Sequence, residues 1–139
     1  MQVAGARALR RDGQGPPPAP RPRPVLTPRL AEAPGRPLLC RACGHPITDD
    51  EARLTIDGQH QFRRQNPAGY EHDFACFRAA PGCHSQGVPS IQATWFPGFH
   101  WWIQICRGCG EHLGWLFFRG EDSFYGLLVE ALVEASAPP

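Results

Sequence analysis

The stretch that decides the fold reads Trp95-Phe96-Pro97-Gly98-Phe99-His100-Trp101-Trp102, then Cys106-Arg107-Gly108-Cys109-Gly110, then His112-Leu113-Gly114-Trp115-Leu116-Phe117. All four tryptophans of the chain lie in it, on both sides of a Cys-x-x-Cys pair. Such a cluster either forms a large hydrophobic core or lines a binding site. Its aromatic volume exceeds what a core of about 100 residues requires, so we expect some of these rings to line a binding site.

A second cysteine pair, Cys40-Arg41-Ala42-Cys43-Gly44, nearly copies the one inside the aromatic stretch. Two such pairs supply four thiolates to a tetrahedral ion and leave no position open for a substrate water. Cys40, Cys43, Cys106 and Cys109 therefore predict one structural Zn²⁺ that joins the beginning of a β domain to its end. Such a site contributes on the order of 10 kcal/mol, comparable to the stability of a whole domain, so we expect a strong chelator to unfold the protein.

Four further residues have metal-binding or redox chemistry. His45 and His112 flank the cysteine pairs. With four thiolates present, we expect these histidines beside the site or on the surface rather than as ligands. Cys76 and Cys83 are compatible with a disulfide, a redox pair or simple packing, and a reducing compartment favours packing.

The composition divides the chain into two parts. Residues 1–37 hold nine prolines and seven arginines against two acids, whereas residues 38–139 carry a formal charge of −4. We expect the arm 1–37 to be disordered with polyproline character, and a solubilising tail is favoured over an SH3-type or nucleic-acid contact. A zinc-containing domain should occupy residues 38–135 and a short tail residues 136–139. Its net acidity argues against nucleic-acid binding by the folded part.

The distribution of apolar residues along the sequence bears on its expected localisation. The sequence has no signal-peptide pattern at its start and no run of ~18 apolar residues that would span a bilayer. We therefore expect a soluble, cytoplasmic monomer without a membrane partner.

Between the cysteine pairs the sequence predicts short strands joined by turns. Asp57-Gly58 accepts the positive φ of a tight hairpin turn, and Asn66-Pro67-Ala68-Gly69 is a second turn signal. Trp101, Ile103 and Ile105 alternate along one strand and so share a face. The predicted strands are 52–56, 60–64, 70–77, 90–96, 101–105 and 112–119.

Only the end of the chain has a helical pattern. With Ser123 as N-cap, apolar residues recur at the spacing of one helix face. These residues are Phe124, Leu127, Leu128, Ala131 and Leu132. The fold prediction is therefore mainly β with a short C-terminal helix.

Several motifs occur in a fixed order from residue 38 to about 133. They are Cys40-x-x-Cys43, Asn66-Pro67-x-Gly69-Tyr70, Trp95-Phe96-Pro97-Gly98-Phe99-x-Trp101, Cys106-x-x-Cys109, His112-Leu113-Gly114-Trp115-x-Phe117 and Phe124-Tyr125-Gly126-Leu127. This order resembles the thalidomide-binding (CULT) domain of the cereblon family, most of all its small stand-alone bacterial members. The resemblance implies a β-tent of two antiparallel sheets with zinc beyond the binding site.

The resemblance also implies a pocket for cyclic imides and related rings, namely glutarimide and thalidomide-type compounds, uridine-like rings and cyclised imide ends of proteins. The carbonyl of Ala93 and the N–H of Trp95 would bond the imide. The family has a histidine at the place of Ala93, but a backbone contact should survive that difference, and Trp102 should point away from the pocket. The implied ligand-binding residues are Asn66, Pro67, Ala93, Trp95, Trp101, Trp115 and Phe117.

The function this favours is a non-enzymatic binding module with a three-tryptophan cage. One alternative is an oxidoreductase like methionine sulfoxide reductase B, in which Cys76 or Cys83 would be the nucleophile, although no reductase motif is evident near the C-terminus. Another is a reader that holds a methylated ammonium group through cation–π contacts.

Overall fold

The structure, a computed structural model, describes residues 35–135. The predicted tail 136–139 and residues 1–34 of the predicted arm lie outside this range. The described part is mainly β and forms two antiparallel sheets, as predicted. The smaller sheet has the strand order β2-β1-β9 and the larger one β3-β4-β8-β7-β6-β5.

The strands are short and follow one another closely along the chain. They are β1 (Pro37–Cys40), β2 (Pro46–Asp49), β3 (Gln61–Gln65), β4 (Glu71–Phe77), β5 (Cys83–Ser85), β6 (His100–Cys106), β7 (His112–Arg119), β8 (Asp122–Leu128) and β9 (Leu132–Glu134). Two 3₁₀ turns complete the elements, at Asp50–Ala52 and Val129–Ala131. None of the helical segments in residues 35–135 has the length and apolar character that crossing a bilayer requires.

The smaller sheet brings the two ends of the domain together, because its central strand β1 pairs with both β2 and β9. It packs on one face of the larger sheet, where Leu38 and Ile47 share a buried cluster with Leu127. Gly82 permits this close approach, since a Cβ there would lie 2.6 Å from the Cα of Ile47. The opposite face of the larger sheet buries a second, aromatic cluster that includes Phe74, Phe96 and Phe117.

The predicted C-terminal helix is wrong, because the segment forms β8, the 3₁₀ turn and β9 instead. β8 lies between β4 and β7, and both of its faces are covered. Phe124 and Leu128 belong to the aromatic cluster, whereas Leu127 belongs to the cluster under the smaller sheet. A strand that is buried on both faces is apolar at adjacent positions, and here that run imitates a helical stripe.

The predicted strand at 52–56 is mostly irregular. Ala52 ends a 3₁₀ turn that is capped by Asp49, whose Oδ1 accepts the N–H of Glu51 at 3.0 Å. The predicted tight turn after it is confirmed, since Asp57 and Gly58 have φ of 53° and 81°.

The predicted strand at 90–96 is also wrong. Only Ser90 pairs with a strand, opposite Trp101, and Ala93 has a φ of 55°. A left-handed residue interrupts a strand because it turns the backbone out of the extended conformation. The segment is therefore a loop, and this loop brings Ala93 and Trp95 to the aromatic face of the larger sheet.

Candidate functional site

The four predicted metal ligands lie together at one end of the molecule. The sulfurs of Cys40, Cys43, Cys106 and Cys109 are all within 4.8 Å of one another. The Cys40 and Cys109 sulfurs are 3.8 Å apart, and those of Cys43 and Cys106 are 3.6 Å apart. Four Zn–S bonds of ~2.3 Å in a tetrahedron separate the sulfurs by about 3.8 Å. The cluster therefore has the donor set and the size to hold one metal ion.

The two cysteine pairs adopt the same local turn. The N–H of Gly44 donates to the carbonyl of Cys40 at 2.7 Å, and that of Gly110 to Cys106 at 2.8 Å. Gly44 and Gly110 have φ of 82° and 83°. Glycine is favoured at both places because a side chain is strained at such angles.

Neighbouring residues fasten the cluster to the sheets. Arg41 donates to the carbonyls of Glu130 and Leu132 at 2.8 and 3.2 Å, and so holds the chain end that contains β9. His45 packs against the facing turn, where a Cβ on Gly108 would lie 3.1 Å from its ring. His45 is thus a neighbour of the cluster and lies outside the set of four clustered ligand residues.

Cys76 and Cys83 are free thiols buried on opposite faces of the larger sheet. Burial raises the pKa of the Cys83 thiol to about 12 and raises the pKa of Cys76 above its ordinary value. Both cysteines pack as small apolar groups, which is the alternative that the sequence favoured.

A cavity of ≈530 Å³ opens on the aromatic face of the larger sheet. All seven residues that the family resemblance assigned to ligand binding line it. The lining residues within the described part of the chain are Asn66, Pro67, His72, Gln92, Ala93, Trp95, Trp101, Ile103, His112, Trp115 and Phe117. Among residues 35–135, no carboxylate and no arginine belongs to the lining.

The cavity walls are held by their neighbours. Trp95 stands nearly perpendicular to Trp115, with ring centroids 5.0 Å apart and an angle of 82°. The ring of Phe74 stacks on that of Trp95, with ring centroids 5.4 Å apart. The indole N–H of Trp95 donates to the carbonyl of Gln65, and that of Trp101 to the carbonyl of Gln92. Because these N–H groups are satisfied, the two indoles are fixed in place.

The loop between β5 and β6 contributes two backbone polar groups at the cavity. The described hydrogen bonds include none to the carbonyl of Ala93 and none from the backbone N–H of Trp95. The left-handed φ of Ala93 is a strained conformation for a residue with a Cβ, and such strain is common at binding sites. One free acceptor and one free donor therefore stand two residues apart at the cavity.

Asn66 has a fixed orientation, because its Oδ1 accepts the N–H of Tyr70 at 2.9 Å. Its Nδ2 is consequently directed elsewhere and lies 3.5 Å from Nε2 of His72. The side-chain amide thus presents a donor at the rim of the cavity.

Sequence reasoning missed four of the lining residues, His72, Gln92, Ile103 and His112. His112 donates from Nε2 to the carbonyl of Gly114 at 3.1 Å, and burial lowers its pKa. Both histidines contact Trp115 edge to face, at 5.3 Å for His72 and 5.2 Å for His112. For two of them strand alternation was the available signal, since Ile103 faces the same side as Trp101 and His72 the same side as Phe74.

Trp102 lies on the other face of β6, as predicted. Its indole N–H donates to the carbonyl of Gly87 at 2.9 Å. It is not among the residues that line the cavity.

Comparisons with known proteins agree with these features. No protein-family model matches the chain. The chain is 38% identical over 73 residues to cereblon of Gallus gallus and 40% identical over 72 residues to cereblon of Xenopus tropicalis, which is 49% and 48% of this chain. It is 38% identical over 99 residues, or 63% of this chain, to cereblon of Drosophila persimilis.

Each match spans only 16% of the length of the relative. The relatives named here are animal proteins, so the stand-alone bacterial subtype stays a prediction. The chain is similar to cereblon over its C-terminal part, and this similarity is consistent with a cereblon CULT domain.

Proposed function

We propose that the chain is a binding module, without catalysis of its own, for a cyclic imide or uracil-like ring. The ring would be a glutarimide, a thalidomide-type or uridine-like compound, or the cyclised imide end of a protein. The observation that supports this most directly is the pair of unbonded backbone groups, the Ala93 carbonyl and the Trp95 N–H, beside three indole walls.

The chemistry of the ligand matches this pair. An imide has an N–H between two carbonyls, so it needs one acceptor and one donor close together, with apolar walls for the rest of the ring. Ala93 would accept the imide N–H, Trp95 would donate to one carbonyl, and Asn66 would donate at the rim. The cavity volume of ≈530 Å³ exceeds what a six-membered ring fills, so a substituent or protein end has room.

The other two functions fit the site less well. A methylated ammonium reader gains from negative charge, and the lining has no carboxylate. A sulfoxide reductase needs an accessible, activated thiol, whereas Cys76 and Cys83 are buried and do not line the cavity.

We also propose that the four-cysteine cluster holds Zn²⁺ in a structural role. Four thiolates in a closed tetrahedron suit zinc, which supplies folding free energy. The residues that hold it fasten β1 to β6, so the ion would secure the sheet from which Trp101 and Trp115 project. No ligand position remains for a catalytic water.

Titration of tryptophan fluorescence with glutarimide tests the proposal. About eight non-hydrogen atoms at ~1 kcal/mol each give a dissociation constant in the micromolar range. Trp101→Ala should abolish the change, and Trp102→Phe is the matched control because Trp102 lies on the other face of β6 and should leave the affinity unchanged. An unchanged spectrum at millimolar glutarimide, or equal affinity in Trp101→Ala, would refute the proposed function.

A further inference from the structure

The face of the larger sheet that is opposite the cavity is only partly covered. Near the cysteine cluster this face is buried under the smaller sheet. Farther along, Trp102 of β6 pairs with Leu116 of β7, and His100 pairs with Phe118. These four side chains are half-buried, and none of them belongs to either buried core cluster. We call them the aromatic ledge.

The aromatic ledge is a preformed surface. His100 and Phe118 stack with centroids 5.2 Å apart and an angle of 16°, and Trp102 lies tilted against Phe118 at 6.2 Å. The N–H of Trp102 is satisfied by Gly87, so the exposed part of the ring needs no polar partner. Val88, the next residue, is 81% exposed and extends the apolar surface. Such a surface suits an apolar segment with little side-chain entropy to lose.

The arm enters the described part of the chain in an acidic corner. The N–H of Gly35 donates to Oε2 of Glu51 at 2.9 Å, and the N–H of Arg36 donates to Oδ1 of Asp50 at 2.8 Å. Arg78, which directly follows β4, donates to the carbonyl of Glu51 at 3.0 Å. The arm therefore leaves the fold beside the end of β4.

A row of paired residues leads from the end of β4 to the ledge. Phe77 pairs with Tyr125, Tyr125 with Leu116, and Leu116 with Trp102. Three strand spacings of ~4.8 Å separate Phe77 from Trp102 by about 14 Å. A polyproline helix covers about that distance in five residues at ~3.1 Å each. The 34 residues before Gly35 are thus long enough to reach the ledge.

The arm also has complementary chemistry. Pro16-Pro17-Pro18 and Pro20-Arg21-Pro22-Arg23-Pro24 favour a polyproline helix, the conformation that aromatic grooves bind at low entropic cost. Arginines between the prolines can stack on the same rings. Residues 1–34 hold six arginines against two acids, whereas residues 35–135 hold eight arginines against eleven acids, so the charges of the two parts attract each other.

We propose that residues 16–24 of this chain dock on the aromatic ledge of the same molecule. The docked segment covers the face opposite the cavity and leaves the cavity open. The interaction does not depend on what the cavity binds.

The experiment compares the indole N–H signals of the ¹⁵N-labelled full chain with those of a full-chain variant, Pro20→Ser/Pro22→Ser/Pro24→Ser. The signal of Trp102, assigned with Trp102→Phe, should shift between the two proteins. The other three indoles, Trp95, Trp101 and Trp115, line the opposite face and serve as internal controls. Four superimposable indole signals would overturn the proposal. A Trp102 shift that disappears on dilution would also overturn it, because the occupant would then be the arm of a second molecule.

Trypsin cleavage provides a second test, which begins with the unaltered full chain. Trypsin cleaves the Arg29–Leu30 bond, which lies five residues after the docked segment, and this bond is monitored apart from those after Arg7, Arg10 and Arg11. Cleavage there should be about tenfold slower in the full chain than in a synthetic peptide of residues 1–34, a factor that corresponds to ~1.4 kcal/mol. Phe118→Ser should raise the rate toward that of the peptide, while Val133→Ala, an exposed residue of the smaller sheet, should not. Equal rates in full chain and peptide would count against docking.

Discussion

Substituting alanine at Gly126 should destabilise the protein, and the sign of this effect distinguishes the strand β8 from the helix that the sequence pattern favours. A Cβ at Gly126 would lie 2.7 Å from Cδ2 of Phe74 and 3.0 Å from Cε2 of Phe117. Real Cβ atoms essentially never approach another atom to 2.7 Å, so the ring of Phe74 must move within a packed core, and that of Phe117 must shift slightly. Overpacking of this kind costs about 1–3 kcal/mol. In an exposed helix the same change would stabilise by ~1 kcal/mol.

Ser123→Ala is the matched control on the same strand. Ser123 is exposed in β8, so its hydroxyl contributes little and the change should stay within about 0.5 kcal/mol. As a helix N-cap it would lose ~1 kcal/mol instead. In a strand, Gly126→Ala therefore destabilises the protein and Ser123→Ala has little effect. In a helix, Gly126→Ala would stabilise it and Ser123→Ala would destabilise it.

Thermal unfolding followed by circular dichroism measures both variants. For a domain of this size, Gly126→Ala should lower the melting temperature by roughly 4–8 °C for each kcal/mol lost. A melting temperature that rises in Gly126→Ala and falls in Ser123→Ala would refute the account of β8. The Gly126 variant should also weaken ligand binding, because Phe74 supports Trp95.

Three further predictions concern the cysteine cluster and His112. Cys109→Ser should lose the bound zinc, measured by metal analysis, while Cys83→Ala should keep one ion per chain; equal metal content in both would contradict the assignment. Excess chelator should abolish the cooperative melting of the wild type, because the proposed zinc ion would contribute about as much free energy as the whole domain has. Burial lowers the pKa of His112 below its usual 6.5, so the unfolded chain binds this proton more readily and stability should decrease as the pH falls from about 6.5 toward the lower folded value. In urea unfolding, the free energy of unfolding of His112→Gln should depend less on pH in this range than that of the wild type. An unchanged pH dependence would refute the lowered pKa of His112.

The sequence predicted the four-cysteine cluster and the tight turn at Asp57-Gly58 because both depend on local chemistry. Two Cys-x-x-Cys-Gly segments each form their turn within five residues, and Asp57-Gly58 adopts the positive φ that a tight turn demands. These features need no knowledge of what packs on them. The sequence also predicted that Trp101 and Ile103 share one face of β6, because side chains alternate along a strand. In the structure both residues pack against the aromatic cluster.

The predictions that were wrong concern residues whose conformation depends on tertiary packing. The helix prediction at 124–132 failed because β8 is buried on both faces, which hides the two-residue period of a strand. The strand prediction at 90–96 failed because Ala93 adopts a left-handed conformation that its residue type does not announce. His112 was missed because its place in the cavity follows from the register of β7 against β6, which shifts between Gln104 and Ile105.

The central claim is that the Ala93 carbonyl and the Trp95 N–H bind an imide between the indoles. Isothermal titration with glutarimide and with N-methylglutarimide tests it most directly. The methyl group replaces the imide hydrogen, so the ring has no N–H left to donate to the Ala93 carbonyl. A buried acceptor left unbonded costs about 1–3 kcal/mol, so the account predicts that the methylated ring binds at least about fivefold more weakly. Equal affinity of the two rings, or heat of binding from neither, would contradict it.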